Sequence, residues 1–287
     1  MEPLFALLTD QQVHIYRLVL DASDIPYKIS RQPSGWVIEI PQSQRSAAID
    51  AVRLYLDENA EPLPRKRQSL FGGTRTFSAG YVVVALVALN GALQPGFERN
   101  VFIETYGADA RAILDGQLYR CVTALLFHAN WAHLLANAAG LLIFGTAVAA
   151  SAGWGVGWLL IVLSGAGGNL LTALWYRESH LSIGSSTAVF AAVGLCAAFS
   201  ILLHLRQKEG IRRAWLPIAA GVALLGFMGA SPNSDLMAHL FGFCCGLAGG
   251  LFFAWRFPHR LPWQVQLPAL LVLVLVVGAS WIAGYRG

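Results

Sequence analysis

Seven long apolar stretches, roughly residues 80–96, 132–151, 154–176, 186–205, 214–230, 236–256 and 265–284, alternate with short polar connections along most of this chain. Each is close to the ~20 residues that a helix needs to cross a bilayer. Polar residues gather at one end of alternate stretches. His128, His133 and Asn137 mark the second, Gly184, Ser185, Ser186 and Thr187 the fourth, and Asp235, Ala238 and His239 the sixth. Such side chains at lipid depth cost free energy unless they are paired inside a bundle or used for chemistry. The pattern predicts an all-α polytopic membrane bundle over residues 80–287 with a serine nucleophile working inside it.

The start of the chain reads differently. Residues 1–75 carry charge at ordinary density and contain no run long enough to cross a bilayer. Residues 4–8 read as a strand and 10–22 as a helix with Val13, Tyr16 and Leu20 on one face. Strands are expected at 26–30 and 35–40, joined across Pro33-Ser34-Gly35, and a second helix from Ser43 with Ala48, Ile49, Val52 and Leu56 along its stripe. Residues 1–60 are thus expected to form a small α+β domain whose β-α-β-β-α order resembles half of a ferredoxin-like sandwich. A core this small is marginal, and self-association through it, or docking on the membrane domain, would add burial. A basic linker, 61–79, follows, with Pro62, Pro64, Arg65, Lys66, Arg67, Gly72 and Gly73. No early apolar core with a cleavage site is seen, so the first span is expected to act as its own export signal.

Composition strengthens the membrane reading: only 13% of the 287 residues are charged, against about 25% in soluble proteins. The net charge of +4 does not point to nucleic acid, because the basic residues bunch beside span ends. Arg65, Lys66, Arg67 and Arg75 precede span 1; Arg206, Lys208, Arg212 and Arg213 separate spans 4 and 5; Arg256 and Arg260 follow span 6. All three segments fall on one side, which the positive-inside rule makes cytoplasmic. The N-terminal domain is then cytoplasmic, the C-terminus external, and the segment 94–131 external. Cys121, Cys196, Cys244 and Cys245 lack metal-ligand spacing and read as buried free thiols. No metal or organic cofactor is expected. The absence of disulfide and targeting features suits a bacterial plasma membrane.

In this topology spans 2, 4 and 6 run in the same direction. His133 and Ser186 open two of them, and His239 lies about one turn inside the third, ~5 Å down. Helix N-termini carry unpaired N–H groups and partial positive charge, which suit a developing anion. Span 6 has Gly242, Gly246 and Gly250 at every fourth position, and span 4 has Gly184, Ala188 and Ala192 at the same spacing. Packing of these small-residue rows against one another is expected to bring Ser186 towards His239.

These residues resemble a rhomboid intramembrane serine protease. Gly116-Gln117-Leu118-Tyr119-Arg120, Phe127-His128, His133, Asn137 and Phe144-Gly145 resemble the family's first loop and second span. Gly184-Ser185-Ser186-Thr187, followed by Phe190, stands for its Gly-x-Ser-Gly motif, and Ala238-His239-Leu240-Phe241-Gly242 for its Ala-His-x-x-Gly. The likeness covers about residues 80–260, a six-helix core to which span 7 adds a C-terminal extension. It implies a Ser-His dyad. Ser186 attacks a peptide carbonyl, His239 acts as general base and then acid, and His133, Asn137 and the Ser186 backbone N–H hold the oxyanion. Ser186 is preferred to Ser185 because it occupies the Gly-x-Ser position four residues before Phe190. Ser185 would point ~100° away on a helix. Neutral His239 is required for the first step, so activity is expected to fall below neutral pH. Arg120 and His128 are expected to hold the external loop in shape, Gly184 and Gly242 to serve the site structurally, and Asp235 to cap a helix. His180, His204 and His259 are expected to be solvated or interfacial.

The implied substrates are single-span membrane proteins whose helix unwinds near its outer end, since a regular helix hides its carbonyls. Gly229-Ala230-Ser231-Pro232-Asn233-Ser234 is expected to act as a lid and span 5 as a lateral gate. Two features depart from the family pattern: Thr187 replaces a glycine and Tyr119 a tryptophan. Thr187 favours the alternative of a catalytically inactive rhomboid-like protein that binds transmembrane clients. A transporter is the other competitor, opposed by the lack of an internal repeat and by polar residues confined to one leaflet.

Overall fold

The computed structural model of the protein describes residues 1–33, 35–59, 76–92, 97–178, 180–207, 216–229, 235–257 and 261–286. The chain divides into two compact units, Met1–Arg67 and Gln68–Gly287. In the first, strand β1 (Glu2–Leu8), helix α1 (Asp10–Ala22), strands β2 (Lys28–Gln32) and β3 (Gly35–Ile40) and helix α2 (Arg45–Glu58) follow in order. Thr9 and Gln12 close a capping box at the start of α1. The antiparallel sheet has the order β1-β3-β2. Gln32 pairs with Gly35 across the tight connection, and Gly35 has φ +137°, which a side chain disfavours. Leu8, Leu20, Ile25, Ile38, Ile40 and Ala48 form the core.

The second unit begins with α3 (Ser78–Ala92) and α4 (Phe97–Tyr106), then a two-residue strand β4 (Ala108–Asp109) and the short helices α5 (Ala110–Leu114) and α6 (Arg120–Thr123). The long helices follow: α7 (Trp131–Ala152), interrupted by a π turn at Leu141–Gly145, and α8 (Trp154–Tyr176). Strand β5 (Leu181–Ser182), which pairs with β4, leads to α9 (Ser186–Gln207). Then come α10 (Leu216–Gly229), α11 (Leu236–Arg256) and α12 (Trp263–Arg286).

Among the described residues five helices, α7, α8, α9, α11 and α12, are long and apolar enough to cross a membrane. These are the spans expected from sequence as 2, 3, 4, 6 and 7. The described parts of spans 1 and 5 are α3, 15 residues, and α10, 14 residues, both short of ~20. Residues 93–96 and 208–215 lie outside the described residues, as do most of the 61–79 linker, His259 and the expected lid at 230–234. The segment expected to lie outside, 94–131, holds α4, α5 and α6.

Helix α9 runs through the centre, where Phe190, Ala191, Ala192, Leu195 and Ala198 are all completely buried. Its contacts fix the helix directions. Thr187 faces Gly242, Ala191 faces Gly246, Leu195 and Ala198 face Gly250, and Arg206 Nη2 donates to Ala254 O at 2.6 Å. Positions rise together along both chains, so α9 and α11 are parallel. Helix α7 is parallel to them too, since His133 and Asn137 lie over Gly184 and Gly140 packs on Val189. Helix α8 runs the other way: Gly157 faces Ala149, Gly165 faces Ala188, and Gly168 meets Thr187 and Gly242.

The row of α9 that meets α11 is Thr187, Ala191, Leu195 and Ala198, not the expected Gly184, Ala188 and Ala192. Ala188 faces α8. The reason is that α9 is enclosed on several sides and carries small residues in more than one row, so spacing alone does not single out the row facing α11. What does conform is the glycine row of α11. A Cβ at Gly246 would collide with the Ala191 carbonyl, whereas nothing lies within 4 Å of one built at Gly278 in α12. Gly246→Ala is therefore expected to destabilise by about 1–3 kcal/mol through overpacking. Gly278→Ala should be neutral or slightly stabilising. Thermal unfolding of the two variants in the same detergent compares them directly.

Candidate active site

The chain enters α9 through Gly184, which has φ +127°, a conformation that suits only glycine. Space demands glycine as well. A Cβ there would lie 2.6 Å from His133 Cε1, 2.8 Å from its Nε2 and 3.5 Å from Asn137 Nδ2. The imidazole of His133 and the amide of Asn137, one turn apart on α7, thus lie directly over the turn that delivers Ser186. Asn137 is buried and its Nδ2 makes no hydrogen bond among the described residues. A buried N–H group left unmet costs ~1–3 kcal/mol, so this corner is prepared to accept an oxygen.

Ser185 and Ser186 go to different places. The Ser185 N–H donates to His128 Nε2 at 3.3 Å, which makes that nitrogen an acceptor, and the Ser185 hydroxyl donates to it at 2.9 Å. Ser185 is 3% exposed and committed to this pair. Ser186 is half-buried, and its hydroxyl makes no hydrogen bond among the described residues, to His239 or any other group. It shares a face of α9 with Phe190, four residues on. The Phe190 ring stacks on His239 with centroids 4.5 Å apart and planes at 25°. His239 is buried, one turn into α11, and so lies beside the face that carries Ser186. Hydrogen bonds between a nucleophile and its base are often long before substrate binds.

Thr187 is buried with its methyl group wedged between α8 and α11, 2.8 Å from where a Cβ of Gly168 would stand and 3.0 Å from one of Gly242. The added side chain is accommodated because both facing residues are glycine. Gly242 also lets the Thr187 carbonyl approach the α11 backbone. Asp235 caps α11, accepting from the Ala238 N–H at 3.1 Å, and its other oxygen accepts from His180 Nε2 at 2.8 Å. His180, expected to be solvated or interfacial, is half-buried and ties the chain leading to α9 to the start of α11.

Arg120 is buried and makes three hydrogen bonds: Nη1 donates to the carbonyls of Glu104 (2.6 Å) and Gly107 (3.0 Å), and Nε to Gln117 Oε1 (2.6 Å). Two asparagines that sequence reasoning passed over hold the same segment. Asn169 Nδ2 donates to Cys121 O at 2.9 Å. Asn90 Nδ2 donates to Leu126 O at 2.9 Å, while its Oδ1 accepts from the His128 N–H at 3.0 Å. Each is a lone amide in an apolar run, and that signal was legible. Among the described residues no group of three or more His, Cys, Asp or Glu is placed to hold a metal ion. Arg120→Ala strands two carbonyls and is expected to cost about 2–5 kcal/mol, from three hydrogen bonds to a charged group. A large drop in unfolding midpoint and faster proteolysis near residues 104–120 would show it.

Residues 115–256 match the family model of the Rhomboid domain. Among curated proteins, the chain is 27% identical over 134 residues to YdcA of Bacillus subtilis, covering 47% of this chain and 66% of that one. It is 32% identical over 142 residues to Rhomboid-like protease 3 of Toxoplasma gondii, covering 49% and 54%. It is 31% identical over 140 residues to RHOMBOID-like protein 1 of Arabidopsis thaliana, covering 49% and 36%. The chain thus spans less than two thirds of the length of these relatives. The three motifs that meet around Ser186 all fall inside the matched stretch, and the chain carries a rhomboid-family domain over residues 115–256.

Proposed function

We propose that the protein is an intramembrane serine endopeptidase that cuts single-span membrane proteins near the outer end of their helix, with Ser186 as nucleophile and His239 as its base. The observation that carries this reading is the buried, unmet Asn137 amide beside His133 over the Gly184 turn. A binding surface for an intact helix has no need of such a group, whereas a tetrahedral oxyanion does.

In the reaction, Ser186 Oγ attacks the substrate carbonyl carbon while His239 takes the hydroxyl proton. The oxyanion is held by Asn137, His133 and the Ser186 N–H at the positive end of α9. Collapse expels the amine, which takes the proton back from His239, and water then hydrolyses the acyl-enzyme through the same histidine. The orientation is supported by Arg206 and Arg256 at the C-terminal ends of the parallel helices α9 and α11. Positive residues favour the cytoplasmic side, so this reading has the starts of these two helices near the outer leaflet.

A rhomboid-like protein that retains clients without cutting is the second reading, and Thr187 favours it. Its methyl group occupies a space provided by two glycines without displacing the Gly184 turn, which weakens that argument.

Cleavage of a single-span substrate in liposomes separates the two. Wild type and Ser185→Ala are expected to cut, and Ser186→Ala and His239→Ala to be inactive. Asn137→Ala should lose about 100- to 1,000-fold in kcat, the usual cost of one oxyanion donor. Because His239 must be neutral to accept the proton, wild-type cleavage should fall on acidification, and a rate that rises steadily as the pH is lowered would count against His239 as the base. Wild-type protein that binds the substrate but leaves it intact would establish the second reading.

A further inference from the structure

Helix α12 lies outside the matched rhomboid domain and turns one face outward, with Leu271, Val274 and Leu275 exposed, while Ala269 and Leu273 on the other face pack on the core. Polar and aromatic contacts fasten both of its ends. At one, the buried Gln266 accepts from the N–H groups of Gly155 (3.0 Å) and Val156 (3.1 Å) and donates to Ala152 O (3.4 Å), fastening α12 to the α7–α8 corner. At the other, the half-buried Trp281 stacks on Tyr106 (centroids 4.8 Å, planes 18°) and on Phe127 (5.7 Å, 23°). Tyr106 Oη donates to Trp281 O at 3.4 Å, and the absence of a side chain at Gly284 lets Tyr106 close up.

Phe127 is no ordinary neighbour. The next residue, His128, receives both hydrogen bonds from Ser185, and Gly184 N–H donates to Ala124 O at 2.9 Å. The segment 124–128 is therefore a bar lying along the turn that sets Ser186. Asn90 grips its backbone at Leu126 and His128. The Phe127 ring is packed in turn on Trp281, Tyr106 and Phe102.

We propose that Trp281 is a positioning residue for the proteolytic site, acting through Phe127, His128 and Ser185 on the placement of Ser186. The proposal rests on the protease reading above. A tryptophan near a span end ordinarily serves as an interface anchor. An anchor needs its ring at the lipid headgroups, whereas this ring is half-buried in a cluster with Tyr106 and Phe127.

The test compares Trp281→Ala, Trp281→Phe and, as a lipid-facing control, Leu275→Ala in full-length protein in liposomes, with kcat and KM read separately on one single-span substrate. Trp281→Ala should lower kcat about tenfold or more with KM within about twofold, as loss of positioning remote from the reacting atoms does. Trp281→Phe should recover most of it, and Leu275→Ala should match wild type. Nitrogen-15 NMR of labelled histidine gives a readout independent of cleavage. The His128 Nε2 signal of a hydrogen-bond acceptor should change in Trp281→Ala and return in Trp281→Phe. Unchanged kcat and an unchanged His128 signal would overturn the proposal, as would a lowered melting point with normal kcat. If wild type does not cleave at all, the protease reading fails, and the His128 signal alone then decides whether Trp281 reaches the serine turn.

Discussion

His239 reaches the face of α9 that carries Phe190 and Ser186 only because two helix backbones come closer than ordinary side chains permit. Gly242 and Gly246 on α11 receive the carbonyls of Thr187 and Ala191 on α9, and Gly168 on α8 meets both helices at the level of the serine. In lipid no hydrophobic force drives helices together, so association depends on close packing of small residues and on polar contacts. The glycine row supplies the first. It also sets the helix directions, and with them the level at which His133, Ser186 and His239 share one end of the bundle. Widening this contact would carry His239 away from the serine face without touching either residue.

The second requirement is that irregular backbone near the membrane be satisfied from within. The segment from Glu104 to Ser186 meets it with a small set of side chains. Arg120 takes the carbonyls of Glu104 and Gly107, Thr123 that of Tyr106, Asn169 that of Cys121 and Asn90 that of Leu126. Each bond ties the loop to a rigid helix or to itself, and the last links in the series, His128 and Ser185, reach the turn before Ser186. The loop thereby supports the start of α9 as well as connecting spans. The same rule makes Asn137 conspicuous: in a region where buried amides are met, its Nδ2 is not.

Much of this could be read from the chain. The order of the motifs, the level shared by spans 2, 4 and 6, the capping role of Asp235 and the divergence of Ser185 from Ser186 follow from helix periodicity and from the cost of polar groups in lipid. What could not be read depends on which neighbour a residue meets. The row of α9 that faces α11 was assigned one residue off, because several sides of that helix carry small residues. Asn90 and Asn169 went unread although each is a lone polar residue in an apolar run, and their partners are carbonyls more than 35 positions away, which have no signature in sequence. Tyr106, Phe127 and Trp281 are separated by up to 175 positions, and nothing in their spacing announces a stack.

The central claim is that this packing makes Ser186, and not its buried neighbour Ser185, a nucleophile activated by His239. The most direct measurement is to treat the membrane-embedded protein with a fluorophosphonate and locate the modified residue by peptide mass spectrometry, alongside His239→Ala. A label on Ser186 that disappears when His239 is replaced is the predicted result. A label on Ser185, or one on Ser186 that persists without His239, would contradict the account.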